Sequence, residues 1–542
     1  MRVRIPPSAQ NKLEQNTKNL IAKIPKEVSH VTTTLEKAGF EAYLVGGCVR
    51  DLLMSQILNE VEGEKDPKDW DITTNAKPEQ IIGLFEKTVY ENTFGTVLVI
   101  QEDVSRETLR QIEVTPYRIE AKYSDFRHPD EVKFSDKLED DLKRRDFTVN
   151  ALALDSKGHL VDLFDGIKDI KDKMLKAVGS PDERFAEDAL RMLRAVRFAC
   201  QLGFSVSYET TESILKNSNL IKKISAERIR DEFIKIIMSE NPGVGIVMLQ
   251  KYNLLKNIIP ELEEGINCEQ SGEHIYDVWN HLLHAVQHAA NKNWPLEIRL
   301  SALFHDIGKP RARRASPGAS AQVLGSPSSA QPDHSQKHTG SALRKKKFTF
   351  YGHEVVGARM TKKIMERLKF PKKEIDLVEK LIYSHMFFSD TELITLSAVR
   401  RIINKVGKEN IWSLMNVREC DRVGMKKKEA PYRLRKYFAM IEESLRDPIS
   451  VGQLKINGEY MQKELKIAPG PRMGWILHAL LEEILDAPEK NTIEHLSELV
   501  KSLNMLGDEE LRTLGERGKE KKEELEDKEV EKLHTKHGVG RK

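Results

Sequence analysis

The chain has 542 residues, and 87 Lys and Arg against 84 Asp and Glu leave a formal net charge of +3. That length predicts roughly three to four domains, and so near-neutral a balance excludes histone-like coating of nucleic acid, though not a local basic groove. Cys48, Cys200, Cys268 and Cys420 lie far apart, which excludes a CxxC pair and a disulfide framework. No apolar run reaches about 18 residues, and the start MRVRIPPSAQ has no signal-peptide core. A cytoplasmic chain with no membrane partner is expected.

In chain order, residues 1–26 read as a polar lead. Residues 27–160 alternate short apolar strands with helical stretches; EAYLVGG, TVLVI, RQIEVTPY and ALALD have strand character. Residues 161–265 turn helical, and AEDALRMLRAVRFACQLGF spaces its apolar residues by three and four, as an amphipathic helix does. A second helical block, 270–430, is broken at 311–346 by a small, polar, Pro/Gly-containing stretch expected to be a disordered insertion. A compact helical segment at 445–505 precedes a mixed-charge tail, 507–542, which is either an exposed helix or disordered.

The first chemical signal is Tyr43-Leu-Val-Gly-Gly-Cys-Val-Arg-Asp51, followed by Asp69-Trp-Asp71. Gly46 and Gly47 after a strand let backbone approach phosphates, and a following helix N-terminus favours anions. Arg50 adds a planar donor fork. Strand alternation puts Asp69 and Asp71 on one side, where both can hold Mg²⁺. Glu113, in Gln-Ile-Glu-Val, fits a third acid on a neighbouring strand, and such a site can activate a hydroxyl and stabilise a leaving pyrophosphate. A GG turn or a DxD pair alone is usually an ordinary turn or surface acid pair. In this order and spacing they resemble the polymerase-β-like nucleotidyltransferase superfamily.

Arg144-Arg-Asp-Phe-Thr-Val-Asn-Ala151 and Glu187-Asp-Ala-Leu-Arg191 narrow the resemblance. With them, residues 27–500 resemble the bacterial class II tRNA nucleotidyltransferase and poly(A) polymerase family. The resemblance implies that Gly47 and Arg50 contact the incoming nucleotide and that Asp69 and Asp71 bind metal. It places Arg145, Asp146 and Asn150 at the sugar and phosphates. Asp188 and Arg191 would read the base edge, with Arg194 and Arg197 supporting them at three-residue intervals. A carboxylate there can accept from an exocyclic amine while the guanidinium donates to the adjacent ring nitrogen, a pattern that cytosine and adenine share and uracil and guanine lack.

Between these motifs, Asp125, Arg127 and Pro129 keep the Asp-x-Arg-x-Pro pattern of a loop that helps CCA-adding members switch from C to A, with Phe126 and His128 where small or basic residues are usual. The tail lacks the strongly basic extension of bacterial poly(A) polymerases. The expected activity is therefore Mg²⁺-dependent addition of CCA to tRNA from CTP and ATP, with no obligate protein partner evident; poly(A) addition is the alternative.

His281, His305-Asp306, His353, His385 and Asp421 follow the H…HD…H…H…D order of HD metal-dependent phosphohydrolases. Imidazoles and carboxylates from separate helices can converge on one or two divalent ions, with Ni²⁺, Co²⁺ or Mn²⁺ favoured by the nitrogen ligands. Lys309 could contact a phosphate, while His284 and His288 read as supporting residues. The resemblance implies phosphatase or 2′,3′-cyclic phosphodiesterase activity on RNA ends, and a chain that is mainly such a phosphohydrolase is a further alternative. The segment Ile456 to Gly474 resembles the family's terminal helical module, which grips the tRNA elbow. The fold expected throughout is α+β, a polymerase-β-like head with a mixed sheet followed by all-helical neck, HD and tail modules.

Overall fold

The computed structural model describes residues 20–58, 67, 69–91, 95–102, 104–119, 133–270, 274–315, 348–387, 394–425, 431–446 and 451–538. They form two compact units, Met1–His385 with Asn416–Met425, and Met386–Met415 with Lys426–Lys542.

The first unit opens with the helix α1 (Lys26–Lys37), whose Val28, Val31 and Leu35 recur at three- and four-residue spacing and are fully buried. The strands β1 (Ala42–Val45), β2 (Asp71–Thr74), β3 (Thr88–Glu91), β4 (Thr96–Ile100) and β5 (Gln111–Pro116) follow, then a small hairpin of β6 (Arg118–Ile119) and β7 (Lys133–Phe134). With β8 (Leu152–Asp155) and β9 (Leu160–Asp162) the large sheet runs β3-β4-β5-β2-β1-β8-β9. Only β2 and β5 pair parallel, so the sheet is mixed. Alternation does the placing in β5. Ile112 and Val114 are fully buried in the core, which turns Glu113 to the opposite face.

Each stretch given strand character in the sequence contains a strand. The DxD reading needs one correction: β2 begins at Asp71, and Asp69 lies in a bend ahead of it. In the neck, the single long helix expected from residue 186 onward is two helices, α3 (Pro181–Glu187) and α4 (Leu190–Leu202), with Asp188 extended between them at φ −141° and ψ 103°. Gly203, left-handed at φ 67°, ends α4. A two-residue parallel ladder, β10 (Met174–Leu175) with β11 (Ser205–Val206), interrupts the helical neck. Helix α5 (Ala226–Ile237) buries Ile229, Phe233, Ile236 and Ile237.

Next come α6 (Val278–Asn291), capped by the Asp277 carboxylate accepting from the Asn280 amide at 2.8 Å, and α7 (Leu296–Phe304), buried from Ile298 onward. The insertion does not begin at 311. Residues 311–312 finish the short helix Lys309–Ala312, and β12 (Arg314–Ala315) pairs antiparallel with β13 (Phe348–Thr349). The remainder of the expected insertion, like the loop carrying Asp125, Arg127 and Pro129, lies outside the described residues. Helices α8 (His353–Arg367), α9 (Lys372–Ser384) and α10 (Ile411–Asp421) complete the set that frames the histidines. One apolar cluster runs through this unit from Leu20 to Ile382.

The second unit has its own core around Ile476, Leu480, Leu496, Val500 and Leu511. Of the two readings of the tail, the helix is the one formed: α12 (Asp508–Lys536) packs against α11 (Pro471–Asp486). Leu511, Gly515 and Gly518 make its buried stripe. A Cβ on Gly515 would stand 2.7 Å from Trp475 Cα, and one on Gly518 would run into the His478 carbonyl. Backbone cannot step aside, so Gly518→Val should cost about 1–3 kcal/mol by overpacking. A lowered urea midpoint for this unit would show it; an unchanged midpoint would mean the two helices are not held at this contact.

Candidate active site and metal centre

All thirteen residues singled out for the head chemistry line one cavity of about 910 Å³. Its floor is acidic. Asp71 pairs in register with Glu113 across the parallel β2–β5 ladder, and Asp69 reaches the same wall from the bend. Burial raises the Asp71 carboxyl above its usual range, and Arg145 only partly offsets this; Asp69 adds repulsion. Glu113 is raised by burial first and then by Asp71, Glu91 and Asp69. Two raised carboxyls, Asp71 and Glu113, with Asp69 beside them make a site that a divalent cation would relieve.

Gly46 is where the floor meets the phosphate wall. It sits at φ 78°, and a Cβ there would come 3.1 Å from Arg145 Nη1 and 3.3 Å from Asp71 Oδ2. Glycine is needed for both the conformation and the close approach. Gly47 then starts the helix α2 (Gly47–Ile57). From α2, Arg50 donates to Asn150 Oδ1 at 2.7 Å and to Asp51 Oδ1 at 2.8 Å, while Arg145 is held by Asp141 at 3.1 Å. Asn150 in turn donates to Asp146 Oδ1 at 3.2 Å. Burial would raise Asp146, but Arg194, whose Nε donates to it at 2.7 Å, outweighs burial and holds the carboxyl at about 2. Nine lining side chains are Arg or Lys and six are Asp or Glu, an excess that suits a polyanion.

The neck closes the cavity. Asp188 Oδ1 accepts from the Leu190 amide at 3.0 Å, and Oδ2 is paired with Arg228 Nη2 at 2.7 Å. Arg191 is held elsewhere, donating to Glu187, to the Arg184 carbonyl at 3.1 Å and to the Arg144 carbonyl at 3.0 Å. The two expected base readers therefore share the cavity wall, and the Arg191 amide donates to the Asp188 carbonyl at 3.0 Å, while their side chains are held by different partners. Arg197 pairs with Glu232 at 3.0 Å, and burial lowers it to about 10, so it stays charged at neutral pH.

Two contributors were missed. Arg228, from α5, has Nη1 buried without a partner among the described residues. Its signal was present in the helical spacing of SAERIRDEF but reads there as an ordinary polar face. Phe198 lies under three guanidiniums, those of Arg50, Arg194 and Arg197, at 5.3, 5.4 and 4.1 Å from its ring centre. As one more apolar residue of α4 it gave no sign of this.

The histidine set converges in a separate place. His281 comes from α6, His305 and Asp306 follow α7, His353 opens α8, His385 follows α9 and Asp421 closes α10. Each imidazole aims Nδ1 at a backbone carbonyl: His281 at Val423 (3.0 Å), His305 at Ala302 (2.9 Å), His353 at Phe350 (2.7 Å) and His385 at Ile382 (2.6 Å). A carbonyl can only accept, so each Nδ1 carries a proton and each ring turns its Nε2 inward. His281 and His305 Nε2 stand 3.0 Å apart, which two bare lone pairs would resist. Burial alone would lower His305, but Asp306 outweighs it and pushes the ring up to about 10. Burial, joined by His305, pushes His281 down to about 3. One proton thus sits where a cation could. Burial would also raise Asp306, yet Lys309 and His305 hold it well below the carboxylate range.

Around this cluster His284 stacks on Tyr276 at 4.3 Å and His288 meets Glu419 at 2.9 Å, so both support the fold locally. His274 was not singled out, having no spacing relation to the others, yet its ring lies 5.4 Å from His281.

The poly A polymerase head domain matches residues 42–176, and the "Probable RNA and SrmB- binding site of polymerase A" matches 203–266. The HD domain matches 272–425 and a tRNA nucleotidyltransferase domain 2 matches 354–500. The chain thus carries a poly A polymerase head domain and an HD domain, and it is similar to CCA-adding enzymes. It is 42% identical over 268 residues to the CCA-adding enzyme of Ligilactobacillus salivarius, covering 46% of this chain and 63% of that one. With the CCA-adding enzyme of Enterococcus faecalis it shares 48% over 222 residues, 41% of this chain and 51% of the relative. The chain thus spans between half and two thirds of the length of these relatives. The crystal structure of the Bacillus stearothermophilus CCA-adding enzyme in complex with CTP superposes with a TM-score of 0.53 at 24% identity, covering 89% of this chain and 97% of that one. The likeness is one of fold, a mixed-sheet head followed by helical modules. Among the described residues no helix is long and apolar enough to cross a membrane.

Proposed function

We propose that this chain adds CCA to the 3′ end of tRNA without a nucleic-acid template, taking CMP from CTP and AMP from ATP and releasing pyrophosphate. The observation that carries the reading is the acidic floor of Asp69, Asp71 and Glu113 meeting an arginine wall in one cavity. The names of the relatives above support the same reaction. Asp69 and Asp71, with Glu113 beside them, would hold Mg²⁺, since an oxygen-only donor set suits that hard cation. Bound there, Mg²⁺ supplies positive charge that favours the attacking hydroxylate and the departing pyrophosphate.

The chain's own residues do the rest. Arg50 and Arg145 receive the phosphates, and the bare backbone at Gly46 lets them approach. Asp146 and Asn150 hold Arg50 and Arg194 in place around the sugar. Asp188 accepts the exocyclic amine of cytosine or adenine, with Arg191 at the adjacent ring nitrogen. We assign the head to 27–160, the neck to 161–265, the HD module to 270–430, a tRNA-binding tail to 445–505 and a charged extension to 507–542. The reading places the chain in the cytoplasm, where tRNA is processed.

The test is incorporation into tRNA lacking its 3′ end, with each nucleotide supplied singly and together. Products ending at +CCA are expected, and long A tails alone would assign poly(A) addition instead. Asp188→Ala should admit UTP, lowering the preference for C over U by roughly 10–100-fold, the worth of a lost bidentate base contact. Arg228→Met should shift it the same way through Asp188, to which Arg228 is paired. Unchanged discrimination in both variants would remove Asp188 from base reading.

A second activity is favoured by the inward-facing Nε2 atoms: phosphohydrolysis at the HD cluster, on phosphate esters of RNA ends. Imidazole ligands there suit Mn²⁺, Co²⁺ or Ni²⁺. Release of product from a 2′,3′-cyclic nucleotide in the presence of these ions tests it.

A further inference from the structure

The acids of the head floor face two ways. In the large sheet, β1 and β8 lie on one side of β2, while β5, β4 and β3 lie on the other. Gly46, Gly47 and Arg50 follow β1 and Asn150 precedes β8, so the phosphate wall belongs to the first side. On the second side opens a smaller cavity of about 260 Å³, which shares Asp69, Asp71 and Glu113 with the large one. Of the residues assigned to the incoming nucleotide's phosphates, sugar or base, none lines it.

Register fixes what this second cavity offers. Asp71 pairs with Glu113, Glu113 with Leu98, and Leu98 with Val89, one row across four strands. Paired residues share a face, and strands lie about 4.8 Å apart, so the row passes from two carboxylates to two apolar side chains within about 15 Å. Val97 and Val99 take the buried face of β4, which leaves Leu98 half-buried and Val89, 50% exposed, on the open face. At the rim the chain turns through Glu107–Leu109, where buried Leu109 and the Gln101 amide, donating to the Arg110 carbonyl at 2.8 Å, fix the backbone. Arg110 stands there exposed, with Glu107 at 3.0 Å.

Four carboxylates and one guanidinium line this cavity, a balance that repels a triphosphate. It suits a ligand with a hydroxyl for the acids, a single phosphate for Arg110 and a flat apolar face for Leu98 and Val89. The 3′-terminal nucleotide of an RNA is such a ligand. Transfer also requires it on this side, because the attacking oxygen and the leaving group lie roughly in line through the α-phosphorus. With the pyrophosphate on the β1 side, the hydroxyl must enter from the β5 and β4 side. Its oxygen bonds the α-phosphorus, the bond to the bridging oxygen breaks, pyrophosphate leaves with that electron pair, and the hydroxyl proton passes to solvent. A third cavity, of about 130 Å³, shares Trp70 and Thr108 with the second and is lined by Lys23 and Arg106.

We infer that the second cavity holds the 3′-terminal nucleotide of the acceptor RNA, its hydroxyl at the acids, its base on Leu98 and Val89 and its phosphate at Arg110. Lys23 and Arg106, in the adjoining cavity, take the phosphates that precede it. The inference rests on the nucleotidyl transfer proposed above and gives the second substrate of that reaction its place.

The test uses the full-length chain and tRNA lacking its 3′ end. With 4-thiouridine as the last nucleotide of that tRNA, ultraviolet cross-links mapped by mass spectrometry should fall in residues 88–113. Cross-links confined to other segments would overturn the inference. Arg110→Gln, at an exposed position that leaves the core untouched, should lower kcat/KM for the tRNA by roughly tenfold, the worth of one charge-assisted hydrogen bond. KM for CTP and the Tm should stay as in the parent. Unchanged tRNA kinetics in this variant, or a raised KM for CTP instead, would also overturn the assignment. Lys23→Gln with Arg106→Gln should flatten the dependence of log kcat/KM for the tRNA on log salt by about 0.7 for each charge removed. An unaltered slope would take the adjoining cavity off the path of the RNA. Long A tails in place of CCA would refute the proposed reaction yet leave the acceptor site standing, since the cross-link reads the hydroxyl-bearing end whichever nucleotide is added.

Discussion

Asp71→Asn is expected to lower nucleotide transfer by on the order of 10³-fold or more while leaving the chain as stable as before, or more so. Charge stabilisation at a metal-assisted centre is worth several kcal/mol, and each 1.4 kcal/mol is about tenfold in rate. Asp71 is the central acid of the three, in register with Glu113 and followed from the bend by Asp69. The stability side follows from its titration. Burial raises the Asp71 carboxyl, and Glu113 is raised for the same reason and by its acidic neighbours. A carboxyl raised in the folded state holds its proton more tightly there than when unfolded. Its contribution to stability is present at low pH and is lost as pH rises through the folded-state value. At neutral pH the ionised acids therefore strain the head, and asparagine relieves that strain. Added Mg²⁺ should raise the Tm of the parent more near neutral pH than at acidic pH, where protons compete with the cation for the raised carboxyls. In Asp71→Asn this Mg²⁺ effect should shrink. A variant that keeps substantial transfer, or that melts well below the parent, would take Asp71 out of the metal-holding role.

Much of this site was legible because its chemistry is local in the chain. A strand followed by Gly-Gly, and an apolar residue on each side of Glu113, fix direction and face without tertiary information. What escaped was set by tertiary contact. Periodicity over residues 186–204 predicts one helix, but it cannot see that the chain turns extended at Asp188, where the carboxylate caps the Leu190 amide and pairs with Arg228 from a helix 40 residues on. Alternation around Asp69 and Asp71 assumes a strand already begun, while the sheet takes up the chain only at Asp71. Phe198 has the same apolar spacing as its neighbours in α4, and the Arg50 guanidinium over its ring depends on where α2 docks. The edge strands β3 and β9 were also missed, being short and partly exposed, with little apolar pattern to announce them. The histidines were the opposite case. Five helices bring them together, yet their order along the chain was enough to single out every residue of the cluster.

His305→Ala combined with Asp306→Ala should abolish metal uptake at the HD cluster and any phosphohydrolase activity, yet leave CCA addition within a few-fold of the parent. No residue of the HD ligand groups lines the head cavity, and no residue of that cavity is an HD ligand. Sites without shared partners contribute independently, so the loss at one should not propagate to the other. The helix ends that carry the histidines are packed into the apolar cluster that also holds the head and neck, and this is where the prediction is most exposed. Removing Asp306 takes away a buried charge that Lys309 and three or more imidazoles face, leaving Lys309 without its carboxylate. That uncompensated charge costs stability on the order of 3–5 kcal/mol when its partner alone is deleted. Assays should therefore be run well below the variant's Tm, with Asp306→Asn as the gentler comparison. The ion dependence should separate in parallel. Transfer should follow Mg²⁺ at the oxygen-lined floor, and hydrolysis should follow Mn²⁺, Co²⁺ or Ni²⁺ at the imidazoles. A double variant that stays folded at the assay temperature but no longer transfers nucleotides would show that the HD module acts on the head's chemistry, and the two sites would have to be treated as one machine.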